Sequence, residues 1–104
     1  MSKSEVKKIV KRYADKLAEN KYQLASVYLF GSYAKGDERK WSDIDVAVVS
    51  PLLNEVLGKA ESNLWRLRRG IDLRIEPHAF SPEDWEEESN PLVREIKRTG
   101  ERVV

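Results

Sequence analysis

Two short clusters in this chain carry residues able to do chemistry: Gly31-Ser32 and, after ten intervening residues, Asp43-Ile44-Asp45. In a strand, side chains alternate faces, so Asp43 and Asp45 point one way and Ile44 the other. Two carboxylates side by side repel each other unless a cation sits between them. Hard divalent cations such as magnesium take oxygen ligands, commonly one or two carboxylates plus substrate phosphates. Gly31 lets the backbone approach a ligand closely. Backbone N–H groups and the Ser32 hydroxyl can hold phosphate oxygens. A glycine-serine turn that ends one strand and faces two aspartates on the next suits a metal-bound nucleoside triphosphate.

These residues must be positioned by the elements around them. Ser2 to about Asn20 reads as a helix. Ser2 and Glu5 form a capping-box pattern, and Val6, Ile9, Val10, Tyr13 and Leu17 fall at helical spacing on one side. Lys7, Lys8, Lys11, Arg12 and Lys16 lie mostly off that stripe, as a solvated face or as a surface for a polyanion or acidic partner. A first strand runs from about Ala25 to Phe30 and is rich in β-branched and aromatic residues. A short helix is expected to begin near Ser32, where its dipole would favour phosphate. Lys35 and Arg39 could reach a triphosphate from that connection, and Trp41 reads as a packing residue at the entrance to the next strand. The second strand, Asp43 to about Ser50, ends at Pro51. A helix over roughly Leu53 to Arg69 follows, with Val56, Leu57, Ala60, Leu64 and Leu67 as its buried side and Gly70 at its C-terminus.

A third strand is expected from Ile71 to about Ile75, with Asp72, Arg74 and Glu76 on its polar face. Beside the second strand, Asp72 would join Asp43 and Asp45. Glu76 is the competing third acid, placed second because it lies nearer the strand's end. His78, the only histidine, reads as a surface or partly packed residue. Ser81-Pro82 and Asn90-Pro91 each start a short helix. The acids Glu83, Asp84, Glu86, Glu87 and Glu88 form a solvated face or a dock for a basic partner. Arg102-Val103-Val104 is a last strand or a tail. The order helix, strand, strand, helix, strand, helix predicts an α/β (α+β) fold with a small mixed β-sheet.

Composition narrows the classes. The 104 residues are expected to form one domain, 1–104, with a single modest core. The net charge of +1 gives no global field for nucleic acid. The absence of cysteine excludes disulfides, thiolate metal sites and a cysteine nucleophile. No apolar stretch approaches the ~20 residues that span a bilayer, and the charged N-terminus shows no signal-peptide pattern, so the expected compartment is the cytoplasm.

Gly31-Ser32 followed by Asp43-Ile44-Asp45, with apolar runs on both sides, resembles the signature of the DNA polymerase beta-like nucleotidyltransferase superfamily. The small size is similar to its minimal nucleotidyltransferase (MNT) branch, which includes the antitoxin partners of HEPN-domain toxins. The resemblance implies the nucleotidyltransferase fold, with helices packed mainly on one face of the sheet. It implies transfer of a nucleoside monophosphate, AMP from ATP, to an acceptor hydroxyl. Two magnesium ions (Mg2+) would be held by Asp43, Asp45 and Asp72, the last also helping to take the acceptor's proton. Gly31 and Ser32 would bind the β- and γ-phosphates, with Lys35 in support. Tyr33 stands where the family commonly has arginine. The implied acceptor is a HEPN-domain partner protein. Two other readings compete: an antitoxin-like module that neutralises its partner by contact, and transfer to a small molecule in a pocket shared by a homodimer. Base preference, acceptor and oligomeric state are not written in any motif.

Overall fold

The Ser2 hydroxyl accepts the backbone N–H of Glu5 at 3.1 Å and starts α1, Lys3–Glu19, whose buried stripe is Val6, Val10, Tyr13, Ala14 and Leu17. The computed structural model describes residues 1–36, 42–54 and 58–104. After α1 come β1 (Ser26–Phe30), α2 (Ser32–Lys35), β2 (Ile44–Val49), a 3-10 turn (Pro51–Asn54), α3 (Lys59–Leu67), β3 (Ile75–Phe80), α4 (Pro82–Trp85), α5 (Pro91–Thr99) and β4 (Glu101–Arg102).

The four strands form one mixed sheet in the order β3-β2-β1-β4. β1 is antiparallel to β2 and β4, whereas β2 and β3 are parallel. A parallel pair needs a crossover connection, and α3 lies within it. Strand alternation then sorts the side chains. Val27, Leu29, Ile44, Val46, Val48 and Ile75 pack with the buried stripes of α1 and α3 in the larger core. Phe30, Ala47, Val49 and Phe80 face the other way, onto Trp85 of α4 and Val93 and Ile96 of α5. Helices α1 and α3 pack on one face of the sheet. Helices α4 and α5 cover part of the other, the face that Asp45 shares with Ala47 and Val49. The Tyr13 hydroxyl donates to the Leu64 carbonyl at 2.7 Å, tying α1 to α3.

Two elements differ from their sequence reading. The strand expected over Ile71–Ile75 begins at Ile75 and runs to Phe80. Gly70, at φ +83°, turns the chain out of α3, and the Ile71 and Asp72 N–H groups both donate to the Arg68 carbonyl at 3.1 Å, so the start of that segment is a turn. Pro77 does not end the strand because β3 lies at the sheet edge, where a missing N–H is tolerated. The helix expected over Leu53–Arg69 is shorter. Gly58, at φ +68°, precedes its first residue, Lys59. Val56 and Leu57 lie outside the described residues. Among the described residues no helix is long and apolar enough to cross a membrane.

Candidate active site

The register of three strands gathers the acidic groups. Asp45 stands opposite Phe30 of β1 and opposite Glu76 of β3. Glu76 and His78 are two residues apart on one strand and share that face. Asp45, Glu76 and His78 each place one ligand-capable atom within 4.8 Å of the others. Asp43 is exposed just before β2, and its charge acts on the Glu76 carboxyl. Partial burial pushes the Glu76 carboxyl above the ordinary carboxylate range; the Asp45 and Asp43 charges push the same way, and His78 opposes them. A cation among these oxygens would relieve that repulsion, which makes the group a fitting seat for one.

The sign of the Glu76 shift makes a prediction. A raised carboxyl binds its proton more tightly in the folded state than in the unfolded chain. Stability is therefore predicted to fall as pH rises from the ordinary value of 4.5 through the raised folded value, with the loss complete above it. Urea unfolding across that range should show this slope for the metal-free protein and a flatter one for Glu76→Gln.

Gly31 follows β1 directly and packs on Asp45. Its φ of 75° and ψ of −148° fall in a region that glycine alone occupies without strain. A Cβ at this position would run into the Asp45 carboxylate. Glycine is thus required here both by the backbone and by the acid beside it. Ser32 opens α2, a single turn closed by the Lys35 N–H on the Gly31 carbonyl at 3.1 Å. Tyr33 and Ala34 bury α2 in the larger core. Tyr33 is therefore an anchor of the turn.

The remaining sequence candidates lie apart from this group. Asp72 sits in the turn before β3. Its Oδ2 accepts from the Arg74 guanidinium at 2.6 Å, and its Oδ1 accepts the Arg74 side-chain Nε and backbone N–H at 3.0 and 2.9 Å. The Arg74 hydrogen bonds hold the Asp72 carboxyl below its ordinary range. Lys35 is paired with Glu95 of α5 at 2.6 Å. Arg39 and Trp41 lie outside the described residues. His78 reads from the sequence as a surface or partly packed residue, although Glu76-x-His78 repeats the two-residue spacing of Asp43-x-Asp45 that marks one face of a strand. A groove of about 590 Å³ lies elsewhere, lined by Lys3, Lys7, Lys8, Lys11, Glu101 and Val103.

Similar proteins place this geometry. A protein of Methanocaldococcus jannaschii named "Putative protein adenylyltransferase" is 44% identical over 45 residues, covering 43% of this chain and 51% of its own length. The match thus spans about half of that relative. A solved "putative nucleotidyltransferase" of Sulfolobus solfataricus shares the fold at a TM-score of 0.61 and 24% identity, over 78% of this chain and 71% of its own. A toxin-antitoxin crystal structure with AMP-PNP superposes at a TM-score of 0.65 and 25% identity, over 88% of this chain and 68% of that one. The nucleotidyltransferase domain profile matches residues 5–99, a span that holds the Gly31 turn and the whole carboxylate group, and the chain belongs to the nucleotidyltransferase domain family.

Proposed function

We propose that this chain transfers AMP from ATP to a hydroxyl group on a partner protein, a HEPN-domain toxin, and releases pyrophosphate. The observation that carries the reading is the register that sets Asp45 opposite Glu76 and against Gly31. Three carboxylates so close repel one another and do nothing for packing; a cation and a polyphosphate give them a purpose. The named protein adenylyltransferase relative and the toxin-antitoxin neighbour support the acceptor class.

Asp43 and Asp45 would hold the two magnesium ions. Glu76 replaces Asp72 as the third acid of this reading, because it is the acid that β3 brings to Asp45. When bound, the ions neutralise the triphosphate and stabilise charge on the attacking and leaving oxygens. The protein's own groups do the rest. The Gly31-Ser32 turn holds the β- and γ-phosphates through backbone N–H groups and the Ser32 hydroxyl. Glu76 accepts the proton of the acceptor hydroxyl. The acceptor oxygen forms a bond to the α-phosphorus. The bond from that phosphorus to the bridging oxygen breaks, and pyrophosphate departs with the electron pair. Lys35 can support a phosphate only by leaving Glu95, an exposed pair that holds it weakly.

The test uses α-phosphate-labelled ATP, magnesium, the full chain and an extract of the source organism. Label on one protein band, lost with Asp45→Asn, is the expected result. Label confined to small molecules, or unchanged by Asp45→Asn, would contradict the proposal.

A further inference from the structure

Magnesium accounts for the carboxylates but leaves His78 unexplained. Its Nε2 is shielded from solvent and has no hydrogen-bond partner among the described residues. That nitrogen lies 3.4 Å from Asp45 Oδ1, within ion-pair distance but outside hydrogen-bond geometry. The ring packs on Phe30 in a T-shaped contact, with centroids 5.0 Å apart. The strand places it on the same face as Glu76, and its ligand-capable nitrogen lies within 4.8 Å of those of Asp45 and Glu76. A shielded nitrogen aimed at two carboxylates normally has something to bind, since an unmet buried polar atom is costly. Nitrogen is a poor ligand for magnesium and a good one for first-row transition cations.

We infer that His78 joins Asp45 and Glu76 as a third ligand, so that this site prefers a divalent first-row transition cation to magnesium. The inference rests on the proposed metal site and adds to it a selectivity that the carboxylates alone do not supply. Mixed oxygen and nitrogen donors strengthen binding in the order manganese, iron, cobalt, whereas magnesium gains little from an imidazole.

The full chain would be titrated with Mn2+ and with Mg2+ in the presence of a non-hydrolysable ATP analogue. Wild type, His78→Gln, His78→Asn and Asp45→Asn would be compared by calorimetry. The wild type should bind Mn2+, which also serves as the spin probe, more tightly than Mg2+. Both His78 variants should lose most of that affinity ratio while their Mg2+ affinity stays within about twofold. Electron spin echo spectra of the Mn2+-loaded wild type should show modulation from a directly bound imidazole nitrogen, a readout that depends on no variant folding. Absence of that modulation, or an unchanged ratio in the His78 variants, would overturn the inference and leave the magnesium site standing. Loss of neither ion in Asp45→Asn would overturn the metal site as well.

Discussion

Glu76→Gln is expected to lower nucleotidyl transfer by roughly three orders of magnitude, and Asp72→Asn to leave it within a few-fold of wild type. The two acids sit four residues apart and differ in what surrounds them. Glu76 is paired in register with Asp45, and its proton affinity is raised by burial and by two neighbouring carboxylates. Glutamine keeps its size but removes the charge that would hold a cation and the oxygen that would take a proton. Asp72 is held by Arg74 through its side chain and backbone, so its charge is already matched. Asparagine there weakens a partly exposed ion pair, which costs no more than about 1 kcal/mol. Initial rates with labelled ATP, together with circular dichroism to verify folding, separate the two. Loss of transfer in Asp72→Asn with full activity in Glu76→Gln would restore the sequence-based assignment.

Gly31→Ala is expected to damage both the fold and the reaction. Alanine at φ 75° and ψ −148° carries a backbone penalty of order 1–3 kcal/mol. For a domain of this size that lowers the melting temperature by several degrees for each kcal/mol. The added methyl also meets the Asp45 carboxylate, which must swing away from Glu76. Displacing a reacting group by about 1 Å can cost 100-fold in rate. Transfer should therefore fall by at least about that factor even where thermal melting shows most of the protein folded. A variant that melts lower but turns over at the wild-type rate would show that the Gly31–Asp45 contact serves the fold alone.

The parts of the candidate site that depend on local spacing are legible in the sequence. Asp43-x-Asp45 fixes one face of a strand, and Gly31-Ser32 marks the turn that ends the strand before it. Helix α1 was equally plain, because its cap and its stripe lie within one continuous segment. What stayed hidden depends on pairing between distant segments. The proposed third acid follows from where β3 starts and from its register against β2. Ile71, Leu73 and Ile75 alternate as a strand would, yet Gly70 and the Asp72–Arg74 bonds make their segment a turn, and Leu73 ends up exposed. Pro77 masked the true strand, since its tolerance rests on β3 being an edge. His78 was legible only once Glu76 was known to share its face with Asp45. The second apolar cluster, under α4 and α5, was foreshadowed by Trp85, Val93 and Ile96, but which sheet face it covers follows only from the strand order.

The central claim is that nucleotide binds at the carboxylate face of β2 and β3, beside the Gly31 turn. The most direct measurement is a titration of the isotopically labelled full chain with magnesium and a non-hydrolysable ATP analogue, followed by backbone amide NMR. The account predicts that the largest shifts fall on Gly31, Ser32, Asp45 and Glu76, and that they vanish in Asp45→Asn. Shifts confined to the basic groove of Lys3, Lys7 and Lys11, with Gly31 and Glu76 unmoved, would contradict it.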